Sequence, residues 1–138
     1  MPCWDEPEFK SFFKLSLEIP ADFSALSNAD VESIKDNGQT RTYYFAETPQ
    51  MSCYLLAICI GRYELIEART NSGVRVRVHV EVGQANAAKF ALDTAVKSLQ
   101  FYEKYFDISY PLTKCDMVAI PDMKYQAMEN WGLCTYNT

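Results

Sequence analysis

The sequence predicts two architectures in series: an all-β stretch over residues 1–82, then an α/β stretch over residues 83–138. Three observations carry this. Short apolar segments alternate in steps of two and are separated by turn residues, most clearly in VRVRVHVEV from Val74 to Val82. At Gly83 the apolar spacing changes to three and four, the period of a helix. A short apolar run of strand length, CDMVAI, follows that helix.

The elements follow in order. Phe13, Leu15, Leu17 and Ile19 point one way and Lys14, Ser16 and Glu18 the other, which predicts a half-buried strand over residues 9–19. Residues 20–37 are rich in turn formers and close at Gly38, and TRTYYFAE then reads as a second strand. MSCYLLAICIG is continuously apolar, the pattern of a strand buried on both faces. RYELIEAR is a further strand, closed by the turn residues Asn71, Ser72 and Gly73. In the Val74 to Val82 run the five valines face a core, while Arg75, Arg77, His79 and Glu81 face away toward solvent. Past Gly83, Ala88, Leu92, Ala95, Leu99, Tyr102 and Phe106 form an apolar stripe opposite Lys89, Asp93, Lys97, Gln100 and Lys104. That is an amphipathic helix of about six turns, stopped before Pro111. CDMVAI is then a buried strand ended by Pro121, and the segment after it is a loop or a strand edge. One helix and one strand after Gly83 are too little to enclose a core, so the chain reads as a fragment of a larger protein.

Composition removes several classes of function. With 138 residues, 49% hydrophobic and 22% charged, the chain is globular in type. A net charge of −5 argues against a nucleic-acid surface, which needs clustered Lys and Arg. No apolar run reaches the length of about 18 residues that spans a membrane. The N-terminus MPCWDEPEFK lacks the basic start and apolar core of a signal peptide. The five cysteines are odd in number and contain no CxxC, which predicts reduced thiols and a cytoplasmic setting. Cys53 and Cys59, on one extended strand, would stand about 20 Å apart, too far for a bridge.

Candidate chemistry is sparse. One histidine cannot supply the paired ligands of H-E-x-x-H, and no phosphate loop or G-x-S-x-G elbow is present. Asp5 and Glu6 are adjacent, so on an extended chain they point apart and suit a turn better than an acid/base pair. In KYQAMENWGL, Glu129 has two readings. It is a turn residue with Trp131 packed in the core, or a carboxylate at a strand edge that pairs with a substrate ammonium while neighbouring backbone holds a peptide as an added strand.

AMENWGL closely resembles the Gly-Ala-Met-Glu-Asn exopeptidase motif of the gluzincin zinc aminopeptidases, in which Trp-Gly-Leu commonly follows. PCWDEPEFK, TPQMSCYLLAICIGRYE and FYEKYFDISYPLTKCDMVAIPD are similar to other segments of that family, in the same order, from Met1 to Tyr136. The wording is nearest the puromycin-sensitive, cytosolic type. The resemblance implies that residues 1–82 are the later part of an N-terminal β-sandwich-like domain. Residues 83–138 would open a thermolysin-like catalytic domain. Carried over, Glu129 would bind the free α-ammonium of a peptide, Ala127 and Met128 would line its backbone, and Asn130 would support the loop. Gln126 stands where the family has Gly, and a side chain there can obstruct close substrate approach. The family's H-E-x-x-H, its further Glu ligand and its oxyanion-stabilising Tyr would lie downstream, and an upstream amine-binding Gln would lie before Met1. Zinc, which polarises the scissile carbonyl in that family, would therefore belong to the full-length protein, and this segment would neither bind it nor cleave peptides. The alternative is a non-catalytic relative acting as a scaffold or peptide-binding module, for which Gln126 speaks.

Overall fold

The computed structural model describes residues 1–138, which are mostly β-sheet with one α-helix. By its contacts the chain forms two compact units, Met1–Arg62 with Glu129–Leu133, and Tyr63–Met128 with Cys134–Thr138. The expected change of architecture at Gly83 does not coincide with this division. It marks the switch from strand to helix inside the second unit.

The first unit holds seven short strands: β1 (Lys10–Ser11), β2 (Ser16–Pro20), β3 (Ser24–Ser27), β4 (Val31–Asp36), β5 (Thr40–Phe45), β6 (Met51–Ser52) and β7 (Ile58–Gly61). They form a three-stranded sheet in the order β2-β5-β4 and the pairs β1-β6 and β3-β7. Ile19, Ala25, Tyr43 and Phe45 are its buried core, with Leu15, Leu17 and Phe23 packed against them. The inward set predicted for residues 13–19 therefore holds, but the single strand does not. The chain changes partner after Ser11, and Phe13 exchanges bonds with Thr48, whose hydroxyl accepts from the Phe13 N–H at 3.0 Å.

Two further expectations are corrected. Residues 20–37 contain two strands: β3 pairs with β7, and β4 pairs with β5. All six β4 side chains are exposed, so no alternation marks it. MSCYLLAICIG is two strands separated by a 3-10 turn over Cys53–Leu55. Met51, Leu55 and Cys59 are buried while Ile58 and Ile60 are 45% and 47% exposed, so β7 is covered on one face only.

The second unit is a five-stranded sheet with one helix, built from β8 (Tyr63–Arg69), β9 (Arg75–Glu81), α1 (Lys89–Phe106), β10 (Lys114–Ile120), β11 (Ala127–Met128) and β12 (Leu133–Asn137). The strand order is β11-β12-β10-β9-β8. The β8–β9 hairpin turns at Gly73, whose φ of 92° is a conformation that side-chain-bearing residues rarely adopt. β10 runs parallel to β9, from Lys114 opposite Arg75 to Val118 opposite His79, a pairing that needs the α1 crossover. Val76, Val78 and Val80 pack with Ala88 and Leu92, and Met117 and Ala119 join them. α1 ends where Asp107 turns left-handed (φ 53°) with its N–H on the Glu103 carbonyl, ahead of Pro111. In its last turns Tyr102 and Phe106 are exposed instead of inside.

The largest correction concerns His79. It is 4% exposed, not solvent-facing. Alternation identifies the residues that share a face; it does not say whether that face meets water. Here the face opposite α1 is also buried, and it carries charges.

Candidate functional site

The five residues singled out by the sequence, 126–130, are consecutive, so the structure decides how each is held. Ala127 and Met128 form β11, antiparallel to β12, with Ala127 opposite Tyr136 and Met128 opposite Thr135. The Asn137 N–H donates to the Gln126 carbonyl at 2.9 Å and extends the pairing by one residue. β11 is the outer strand of its sheet, so its far side presents main-chain groups to which an extended peptide can add. Gln126 and Ala127 are exposed and Met128 is half-buried. Gln126 is not among the residues of positive φ. Its backbone therefore carries glutamine without strain, and only its side-chain bulk distinguishes it from glycine.

Glu129 is exposed and leads into a tight turn in which the Leu133 N–H donates to the Asn130 carbonyl at 3.0 Å. Gly132, third in that turn, has φ 70°, the requirement of a type II turn. The turn foreseen at Glu129 is thus present, but Trp131 is 42% exposed and not packed in a core. Because an L side chain is disfavoured at that angle, Gly132→Ala should destabilise the fold by about 1–2 kcal/mol. A urea melt checks this, and an unchanged midpoint would show that the turn relaxes freely.

Asn130 is buried, and its Nδ2 donates to the Leu55 carbonyl at 3.2 Å. The same carbonyl accepts from Asn28 Nδ2 at 2.8 Å, and Asn28 also donates to the Trp131 carbonyl at 2.8 Å. Asn28 Oδ1 accepts from the Ala57 N–H at 2.9 Å. One buried amide thereby ties the turn to the segment around Leu55. Sequence reasoning missed Asn28, because SNAD reads only as a turn and nothing local marks a bond to Trp131. The result is a fixed turn with an exposed carboxylate at its start, following an open strand edge.

A second concentration of charge lies on the face of β9 and β10 opposite α1. Asp116 is 1% exposed and takes a paired contact from Arg77, at 2.5 Å from Nε and 2.7 Å from Nη2. Lys114 Nζ, also 1% exposed, is 2.9 Å from its second oxygen. Burial alone would push the Asp116 carboxyl up. Contact with His79, the Arg77 hydrogen bonds and the Lys114 charge outweigh burial and hold it well below the usual carboxylate range. We ascribe little of this to His79, because its Nε2 stands 3.6 Å away and makes no hydrogen bond.

This cluster does not fit a metal. No group of three or more His, Cys, Asp or Glu is placed to hold one, and the nearest pair, His79 and Asp116, shares its site with two cations that would repel a third. No helix is long and apolar enough to cross a membrane.

Comparison with known proteins places this geometry in context. Residues 1–55 match the family model for the peptidase M1 N-terminal domain, and residues 90–138 match that for the peptidase family M1 domain. Aminopeptidase M1-A of Oryza sativa subsp. japonica is 52% identical over 135 residues, 98% of this chain and 15% of its own length. Aminopeptidase M1 of Arabidopsis thaliana is 47% identical, again over 98% of the chain and 15% of its own length. Puromycin-sensitive aminopeptidase of Caenorhabditis elegans is 45% identical over 137 residues, 98% of the chain and 14% of its length. The chain thus spans about one-seventh of the relatives it matches.

Proposed function

The chain belongs to peptidase family M1, and on that premise we propose that it carries the part of a zinc-dependent aminopeptidase that grips the free N-terminus of a peptide. The observation that supports this most is the order of parts at residues 126–130: an open strand edge, an exposed carboxylate, then a turn held by buried amides. Ala127 and Met128 hold the peptide main chain, Glu129 pairs with its terminal ammonium, Asn130 fixes the loop, and Gln126 borders the peptide at the edge. An ammonium held there limits the enzyme to removing residues one at a time, since an internal bond offers no such group.

In this reading residues 1–82 are the later part of the N-terminal β-domain and residues 83–138 the opening of a thermolysin-like catalytic domain. The protein works in the cytoplasm on peptides with a free N-terminus. In this reading the segment's part in the reaction is recognition and positioning. Incubating the full-length protein with a peptide of mixed sequence should give a ladder of products, each one residue shorter at the N-terminus, by mass spectrometry. Internal cleavage products in comparable yield would overturn the reading. A non-catalytic peptide-binding relative is the second reading, and Gln126, whose exposed side chain stands at the open edge, favours it. Saturable peptide binding with no shortened product would establish it.

A further inference from the structure

Asn28 follows the last residue of β3, and the pairing of β3 with β7, Ser27 opposite Ile58, fixes its place in the chain. It is 3% exposed and meets three main-chain partners at once. The Ser27 hydroxyl donates to the Ala57 carbonyl at 2.8 Å and the Ala57 N–H donates to Asn28 Oδ1 at 2.9 Å, so Ala57 is held from both sides. Asn28 Nδ2 directs its two protons to the Leu55 and Trp131 carbonyls, each 2.8 Å away. Leu55 closes the 3-10 turn, and the last carbonyls of such a turn lack partners within it, so this one takes donors from outside. Turning the Asn28 amide over would set Oδ1 against two carbonyl oxygens, so its partners fix its orientation.

The far end of these bonds is the candidate site. Glu129–Leu133 group with the first unit. In sequence they lie in residues 90–138, which match the peptidase family M1 domain, whereas Asn28 lies in residues 1–55, which match the N-terminal domain. The Glu129 side chain is exposed and makes no hydrogen bond or ion pair of its own, so the main chain alone sets where it stands. That main chain is held at Asn130, whose Nδ2 donates to the Leu55 carbonyl at 3.2 Å, and at Trp131, whose carbonyl accepts from Asn28.

We propose that Asn28 is a positioning residue for recognition of a free peptide N-terminus: it fixes the turn that aims Glu129, and so sets the preference for a free ammonium over a blocked end. The inference rests on the reading of Glu129 as the partner of that ammonium. Asn28 itself touches no substrate. A carboxylate on a loosened turn samples many positions, and each departure from the pairing geometry weakens its contact with the ammonium. Without the two Nδ2 donors the Leu55 and Trp131 carbonyls lose their shared anchor, and the turn shifts to find other partners.

The test is kcat/KM of the full-length protein for a peptide with a free N-terminus and for its acetylated form, read as the ratio of the two. Asn28→Asp keeps the shape and the acceptor for Ala57 but sets an oxygen against both carbonyls. It should lower the ratio about 10-fold, less than Glu129→Ala, which removes the carboxylate altogether. Loss of folded enzyme slows both peptides equally and cancels in the ratio, so a purely structural role for Asn28 would leave the ratio at the parent value. In the Glu129→Ala background Asn28→Asp should change the ratio no further, because the group it aims is gone. Should Asn28→Asp fail to fold, Asn28→Ser, which keeps a single donor, carries the same test with a smaller fall. A ratio that falls for Glu129→Ala but not for a folded Asn28 variant, or that Asn28→Asp lowers by the same factor in both backgrounds, would overturn this inference alone. A ratio unmoved by Glu129→Ala would overturn the ammonium reading and this inference with it.

Discussion

Replacing Asp116 with Asn should cost the chain about 3–5 kcal/mol of folding stability, because it leaves Arg77 and Lys114 charged beside a neutral amide. The side chain keeps its shape, so the loss reports charge and not volume. Lys114 is 1% exposed and cannot turn to water without opening the sheet. Adding Lys114→Met to Asp116→Asn should recover part of the loss, since one unpaired ion then goes with its partner. Urea unfolding of the parent, both single variants and the double variant measures this. A loss below about 1 kcal/mol would mean that water reaches the cluster. The pH dependence has a definite sign. The Asp116 carboxyl is depressed in the folded state. Its contribution is therefore complete above the ordinary unfolded value, about 3.9, and is lost as pH falls below it. The parent should lose stability steeply below about pH 4, and Asp116→Asn should flatten that acid limb.

This cluster also shows where sequence reading stops. The alternation in VRVRVHVEV correctly puts Arg77 and His79 on one face, but alternation alone makes that face solvent. Asp116 and Lys114 come from a strand 39 and 37 residues past Arg77, and only the parallel pairing of β9 with β10 sets Asp116 opposite Arg77 and Lys114 opposite Arg75. Local periods were sufficient for β5, the β8–β9 hairpin, α1 and β10, where each element's pattern is written in its own residues. They failed for β3 and β4, which exist because β7 and β5 pair with them, and β4 has no buried side chain to betray it. They failed for MSCYLLAICIG because an unbroken apolar run does not disclose that Cys53–Leu55 turns and resets which side faces in. At the site, Glu129 and its neighbours were visible as a motif. Asn28 was not, for its partners lie 27, 29 and 103 residues away.

Glu129→Ala in the full-length protein should lower kcat/KM for peptides with a free N-terminus by roughly 30- to 1000-fold, about 2–4 kcal/mol of lost pairing with the ammonium. The reason is specific to where the carboxylate sits. Met128 ends an edge strand and Asn130 is tied by its amide to Leu55, so the main chain on both sides of Glu129 is held while its side chain stays exposed. Truncation then removes the charge without releasing the loop. Peptides with an acetylated N-terminus carry no ammonium, and their slower turnover should be little changed, so the ratio of the two rates collapses toward one. Glu129→Gln separates charge from reach. It keeps the length and one hydrogen-bond acceptor, and should retain a fraction of the preference between parent and alanine variant. Gln126→Gly is the companion measurement: with no positive φ at Gln126 it should leave the fold intact, and any gain in turnover would be due to room for the substrate at the strand edge. If Glu129→Ala instead slowed free and blocked peptides by the same factor, the carboxylate would be serving the loop or the chemistry, and the ammonium would have to be held by another group.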